Sequence, residues 1–208
     1  LLPDLRGAAP IHWALRWGDT QTGLTVFRIN NRIDTGDMLC QESLEIPIAW
    51  NAGDLHDAMA EAGGHLLVQA ARRIASGDLR TVAQPTGQLL RSAPKISKED
   101  SVLDWTRPSE ELFHFVRAFA PAPGARTVLG QRQWIVLQTA LTSPEPNDLE
   151  PAASSPIPGT LKVQGGRCWA RALDGWLEIL VIKPQNGKAM AMDAFLRGQA
   201  PLDGQVLG

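Results

Sequence analysis

From residue 125 onward the chain alternates between short β-branched or apolar stretches and glycine-containing turns, and this limits what it can fold into. Strand candidates fall at 126–129, 133–140, 159–163, 167–172 and 176–182. Gly165-Gly166 and Asp174-Gly175 separate consecutive candidates. Such pairs suit two-residue hairpin turns, whose central positions favour a left-handed backbone. Five short strands joined in this way predict a small barrel, OB-like by its strand count. A loop over 143–158 with five prolines interrupts it, and a short helix over 192–197 is expected to close the domain.

Residues 1–78 read differently, as alternating helix and strand. Pro10 sits where a first helical turn tolerates it, and 11–17 form a short apolar helix that Gly18 ends. Strands follow over 22–29 and 38–46, and the polar turn between them predicts an antiparallel pair. Asn51 and Asp54 stand three apart like a capping box, ahead of a helix. Its apolar face is expected to carry Leu55, Met59, Leu66, Leu67, Ala70 and Ile74, with the Gly63-Gly64 pair marking a kink or a close packing contact. Residues 79–97 are polar and read as a linker. A helix over 109–119 opens the second half with Leu112, Phe115, Val116 and Phe119 on one side, and Pro121 and Pro123 stop it. The domain reading is therefore 1–78, a linker over 79–97, and 98–208.

Composition excludes several classes. A 208-residue chain that is 44% hydrophobic can bury a core without staples. Its 20 Lys+Arg against 22 Asp+Glu argue against a polybasic nucleic-acid coat. Residues 1–90 hold 7 basic and 10 acidic side chains, and 91–208 hold 13 and 12, so the second half is the better nucleic-acid surface by a small margin. Cys40 and Cys168 are far apart and lack a CxxC partner, so neither a disulfide framework nor a zinc module is expected. No apolar run is long enough for a membrane span and no signal peptide is read, so the default is a reduced, cytosolic protein. The chain starts at Leu1 without an initiator Met, which reads as processing or as a fragment.

Few motifs carry chemistry. His12, His56, His65 and His114 read as lying on separate elements, and none has a second ligand at i+4, so no metal is expected. Cys40 reads as a small buried hydrophobe. What remains is the loop Asn30-Asn31-Arg32-Ile33-Asp34-Thr35-Gly36-Asp37-Met38. On one reading Asp34 makes an Asx-type turn, accepting hydrogen bonds from backbone N–H groups near Gly36. On the other it is a carboxylate at a strand end beside a pocket, where it orients and charges a histidine or shares a proton. Spacing alone favours the turn.

The ordered series Leu1-Leu2-Pro3, Arg6-Gly7-Ala8-Ala9-Pro10-Ile11, Gly18-Asp19, Thr22-Gly23 and Ile33-Asp34-Thr35-Gly36-Asp37-Met38 resembles the methionyl-tRNA formyltransferase family. The second half continues the resemblance. Ala93-Pro94-Lys95-Ile96-Ser97-Lys98-Glu99 is similar to the family's lysine-rich interdomain segment, and Leu103-Asp104-Trp105 follows it. Arg117-Ala118-Phe119-Ala120-Pro121-Ala122-Pro123-Gly124 is similar to its proline motif, and Phe195-Leu196-Arg197-Gly198 to its last helix. The resemblance implies an α/β protein: the C-terminal part of a Rossmann-like formyltransferase domain, then an OB-like β-barrel that helps hold initiator methionyl-tRNA. The formyl donor would be 10-formyltetrahydrofolate, with no metal, in a cytoplasmic monomer that serves translation initiation.

By the same resemblance the methionyl amine attacks the formyl carbon, and a tetrahedral oxyanion forms and collapses to release tetrahydrofolate. An Asn and a His stabilise that oxyanion and move protons, and an Asp keeps the His charged. Asp34 matches that Asp. Leu1, Leu2 and Pro3 match the end of the family's Ser-Leu-Leu-Pro folate loop, and the backbone of Asn30, Asn31 and Ile33 would border the pterin pocket. The family's Asn-x-His segment lies before that loop, so this chain alone is expected to be inactive and residues 1–78 to be poorly packed. Arg32 stands where a Gly is frequent, and Ala120 and Ala122 stand for the Asn and Trp of the proline motif.

Arg91, Lys95 and Lys98, with Lys183 and Lys188, are the candidate tRNA phosphate contacts. Trp134, Trp169 and Trp176 either stack bases or pack the core. Two other readings stay open: a formyltransferase acting on a sugar-nucleotide amine, and a non-catalytic RNA-binding remnant.

Overall fold

A computed structural model describes residues 1–86, 90–144 and 157–208. The chain forms two units, Leu1–Ile96 and Ser97–Gly208. In the first, β1 (Arg6–Gly7) and α1 (Pro10–Arg16) precede a hairpin of β2 (Gln21–Phe27) and β3 (Met38–Glu45), then α2 (Ala52–Ala75) and β4 (Ser92–Ala93). β2 and β3 are antiparallel from Gln21↔Glu45 to Phe27↔Met38, as the intervening turn predicted.

α2 begins as its sequence dictates. Asn51 Oδ1 accepts from the N–H groups of Gly53 at 2.7 Å and Asp54 at 3.2 Å, while Asp54 Oδ2 accepts from the Asn51 N–H at 2.9 Å. The buried stripe is Ala52, Leu55, Leu66 and Ala70, with Met59 half-buried. Two residues expected on that face are not there: Leu67 is 60% and Ile74 51% exposed. Leu67 lies one residue past the buried Leu66, and one residue turns a helix side chain by about 100°. Ile74, four residues past Ala70, lies in the last two residues of the helix.

Gly63 and Gly64 bring no tight packing contact. The helix runs through both; a Cβ on Gly63 would meet Leu24 at 3.8 Å, and one on Gly64 would meet nothing within 4 Å. Gly64→Ala is therefore expected to stabilise the chain by about 0.5–1 kcal/mol. A rise in thermal midpoint checks this, and a fall would show that the position needs glycine.

The stretch 79–97, expected as a linker, returns onto the first unit over its described part. Met38 and Val82 exchange two main-chain hydrogen bonds of 2.8 Å. β4 then runs parallel to β1, pairing Arg6 with Ser92 and Gly7 with Ala93.

The second unit opens with a 3₁₀ turn at Glu99–Ser101 and α3 (Ser109–Phe119). β5 (Ala125–Leu129), β6 (Arg132–Ala140), β7 (Leu161–Gln164), β8 (Arg167–Arg171) and β9 (Trp176–Pro184) follow, with β10 (Met190–Ala191) and α4 (Met192–Leu196) last. α3, β5 to β9 and α4 match the sequence-predicted elements to within a few residues, whereas the 3₁₀ turn and β10 have no counterpart among them. The sheet order is β5-β6-β9-β8-β7, with β10 against β9, and every pairing is antiparallel. Gly165 and Gly166, at φ 57° and 79°, make the β7–β8 turn in the backbone region that disfavours a Cβ.

The expected OB-like barrel is not closed by strand pairing: among the described residues β5 and β7 do not pair. The C-terminal residues hydrogen-bond to both edges instead. Val128 and Gly208 exchange two bonds, Leu161 N–H donates to Gln205 O at 2.7 Å, and Leu207 N–H donates to Gly159 O at 2.9 Å. Most of the proline-rich 143–158 loop lies outside the described residues.

The two cores differ in depth. Among the described residues the first unit buries ten hydrophobic side chains, five of them Ala, whereas the second buries twenty-three, including Trp105, Trp134, Trp169, Phe115, Phe119 and Phe195. Area removed from water is the main favourable contribution to folding. Hydrogen exchange should therefore find the slowest amides in β6, β8 and β9, with those of β2 and β3 at least about tenfold faster. Equal protection in both units would contradict this. Among the described residues no helix is long and apolar enough to cross a membrane.

Candidate active site

The β2–β3 connection carries the carboxylate singled out by the sequence, and its geometry departs from a plain Asx turn at Asp34. Asn30 takes that part: its Oδ1 accepts from Arg32 N–H at 2.9 Å and from Thr35 Oγ1 at 3.0 Å. Arg28 N–H donates to Asp37 O at 2.9 Å and draws the loop's ends together. Gly36 is required there, because a Cβ would lie 1.6 Å from Arg28 O. Asp34 adopts φ 54°, and its Oδ2 accepts from the Gly7 N–H at 3.1 Å. The bond runs to the end of β1, not to its own turn.

So held, Asp34 lines a cleft of about 260 Å³. Leu1, Leu2, Ile11, Leu24, Phe27 and Met59 supply its apolar wall, with Asp4, Thr22 and Thr25 as further polar groups. An apolar slot with a few fixed polar groups is the usual form of a small-molecule site. Its volume lies below the roughly 300–1,000 Å³ typical of such sites, so it suits one ring system rather than a whole folate-sized ligand.

The other sequence-predicted site residues do not all gather here. Leu1 and Leu2 line this cleft, and Pro3 adjoins them in the chain without lining it. Asn30 and Asn31 line a separate cleft of about 630 Å³, with Arg6, Arg32 and Gln84. Ile33 is 80% exposed and lines neither. None of the four histidines lines the Asp34 cleft. His56 and His65 share α2 rather than lying on separate elements. His12 and His114 are both held below the ordinary histidine range, chiefly by burial. Among the described residues no cluster of three His, Cys, Asp or Glu could hold a metal.

Arg91 is not a free phosphate-binding cation. Its guanidinium bonds both Asp4 and Asp19: Nε and Nη2 to Asp4 Oδ2, Nη1 and Nη2 to the two Asp19 oxygens at 2.9 Å. The Arg91 N–H also donates to Asp4 Oδ1, and Leu5 N–H donates to Arg91 O. Paired with two carboxylates, the charge ties the 90s stretch to the chain's first residues. Lys95, Lys98, Lys183 and Lys188 are exposed. They make no ion pair among the described residues. Lys95 belongs to the first unit and the other three to the second.

Trp134 and Trp169, 1% and 2% exposed, are core residues and cannot stack bases; Trp176 is half-buried. Cys40 is half-buried rather than buried. Cys168 is the buried thiol, its pKa pushed up to about 12, chiefly by burial, so it is inert at neutral pH.

Sequence reasoning missed Gly7, Gln84, Thr25 and Met59 at the site. No local signal marks them, because Gly7 and Gln84 reach Asp34 from 27 and 50 residues away.

Comparison with known proteins adds a family. The model described as "Formyl transferase" matches residues 1–71, and "Formyl transferase, C-terminal domain" matches 95–200. A curated protein named methionyl-tRNA formyltransferase from Chlorobium phaeovibrioides is 35% identical over 208 residues, covering 100% of this chain and 63% of that protein. The chain spans 60–64% of the lengths of such curated relatives. Among solved structures, HypX from Aquifex aeolicus in complex with tetrahydrofolic acid superimposes with TM-score 0.65 at 16% identity, over 98% of this chain and 37% of that one. An N-formyltransferase from Helicobacter canadensis, in complex with folinic acid and dTDP-3-aminofucose, gives TM-score 0.58 at 18% identity, over 86% and 62%. These two show likeness of fold.

Proposed function

Since the chain belongs to the formyl transferase family, we propose that its protein transfers the formyl group of 10-formyltetrahydrofolate to the amino group of initiator methionyl-tRNA. One observation carries this reading. Identity to proteins named methionyl-tRNA formyltransferase runs through the whole chain, and in this chain Asp34 stands on an apolar cleft with its carboxylate oriented by the Gly7 N–H. The site residues fit a part of the donor. The apolar wall takes a flat bicyclic ring, and Asp34, Thr22 and Thr25 offer polar partners at its rim.

The reaction needs little covalent help. The amine adds to the formyl carbon, negative charge grows on the formyl oxygen, and the tetrahedral adduct collapses with loss of the folate nitrogen. Protons must leave the amine and reach that nitrogen. A fixed carboxylate lowers the barrier by holding a neighbouring acid–base group charged and aligned. In this reading Asp34 does that work, and Leu1 and Leu2 exclude water from the donor ring.

In this reading the second unit is an OB-like module that holds the tRNA, and Lys95, Lys98, Lys183 and Lys188 supply mobile cations for its phosphates. The protein would work as a cytoplasmic monomer. The test is formylation by the full-length protein with 10-formyltetrahydrofolate and either methionyl-initiator tRNA or an amino-sugar nucleotide. Turnover on the tRNA alone supports the proposal, turnover on the sugar alone replaces it with a sugar-amine transferase, and tRNA binding without turnover makes it a binding remnant.

A further inference from the structure

Gln84 is 8% exposed, and its side-chain hydrogen bonds join three separate stretches of chain. Its Nε2 donates to Asp34 O at 2.9 Å and to Gly36 O at 2.8 Å. Those two carbonyls bracket the Asp34-Thr35-Gly36 turn, and together they use both hydrogens of the amide. Its Oε1 accepts from Arg6 Nη2. The next residue, Gly7, donates its N–H to the Asp34 carboxylate. The 6–7 segment thus reaches Asp34 twice, through its backbone to the carboxylate and through Arg6 and Gln84 to the backbone carbonyl.

The support behind Gln84 is itself fixed. Val82, two residues earlier, exchanges main-chain hydrogen bonds with Met38, two residues beyond Gly36. Asp34 needs such support, because a non-glycine residue at φ 54° sits in the left-handed region. A backbone of that kind persists only where its surroundings determine it.

We infer that Gln84 is the positioning residue that sets the direction of the Asp34 carboxylate for formyl transfer. The inference rests on the proposed role of Asp34. An amide is the side chain that fits, since it offers two donors to two carbonyls and one acceptor to a guanidinium. A glutamate in its place turns two carbonyls towards a carboxylate without donors. Released on its backbone side, Asp34 keeps only the Gly7 bond, and its carboxylate swings. A displacement of about 1 Å in a catalytic group costs about 10²-fold in rate.

The test is a double-mutant cycle in the full-length protein, with kcat and KM measured separately. Gln84→Glu, and the uncharged Gln84→Met in case the first does not fold, are combined with Asp34→Asn. The expected result is a fall in kcat of about 10- to 100-fold for either single Gln84 variant, with donor KM within a few-fold and the thermal midpoint in the folded range. On the Asp34→Asn background the same Gln84 change should cost almost nothing more, because what it positions is already disabled. Additive losses, or a folded Gln84 variant with unchanged kcat, overturn the inference while leaving Asp34's role intact. If Asp34→Asn itself leaves kcat unchanged, the proposed role of Asp34 fails, and this inference with it.

Discussion

In the full-length protein, Asp34→Asn should lower kcat for formyl transfer by about 10²- to 10⁴-fold while leaving donor KM within a few-fold. The substitution is nearly isosteric. The asparagine carbonyl can still accept from Gly7 N–H, and Gln84 still holds the turn through Asp34 O and Gly36 O. The loop therefore keeps its shape and the cleft its apolar wall. What disappears is the negative charge, which matters only once positive charge develops on the group it faces. An interaction realised in the transition state appears in kcat rather than in KM. A variant that folds normally yet turns over within threefold of wild type would return Asp34 to being a loop residue.

The largest stability effect is expected at Glu178 on β9. Only 5% exposed, it accepts from Arg167 Nε at 2.7 Å, from Arg167 Nη2 and from Thr142 Oγ1 at 2.6 Å. Thr142 Oγ1 in turn accepts from Trp169 Nε1 at 3.0 Å, and the Arg167 guanidinium lies 4.7 Å from the centre of the Trp169 ring. Breaking a buried pair costs about 3–5 kcal/mol when the surviving charge stays buried. Here Arg167 is half-exposed and can return to water, so Glu178→Ala is expected to cost about 2–3 kcal/mol, a drop in thermal midpoint of roughly 10 °C. A drop under about 2 °C would show that the network contributes nothing net.

The same network carries a pH signature. The Arg167 hydrogen bonds, helped by Thr142, hold the Glu178 carboxyl below the ordinary glutamate range against the opposing effect of burial. A carboxyl lowered on folding stabilises the folded state above its unfolded pKa, and that contribution is lost as pH falls through the folded value. The stability gap between wild type and Glu178→Gln should therefore be full at neutral pH and shrink below about pH 4. A gap that grows on acidification would reverse the assignment.

Much of the architecture was legible because it is local. The Asn51–Asp54 capping box, the stop of α3 before Pro121 and the Gly165-Gly166 turn each depend on residues within a few positions of one another. Strand limits in the second unit follow from β-branched runs between turns. The faces of α2 were legible only in part. Leu55, Leu66 and Ala70 are buried as the periodicity predicted, but Leu67 and Ile74 are hydrophobic on a side that no described element covers. Hydrophobicity says that a residue favours burial; it does not say that the fold supplies a neighbour.

At the site, the 30–38 loop and its carboxylate were recognisable from motif order and chemistry alone, as was the family. The partners were not. Arg91 reads in sequence as one of three nearby cations, yet it closes on Asp4 and Asp19 across separations of 87 and 72 residues. Asn30 and Asn31, beside Asp34 in sequence, face a different cleft, because a turn reverses direction within four residues. Sequence by itself determined the longer elements, the α2 cap, the glycine turns and the family, since those rest on short-range stereochemistry and ordered motifs. The tertiary structure alone decided that Gly7 and Gln84 hold Asp34, that the C-terminal residues rather than a strand pairing bridge β5 and the start of β7, and that Trp134 and Trp169 are core. Each of these is a contact between distant residues, set by the path of the chain, and that path is written in no single segment.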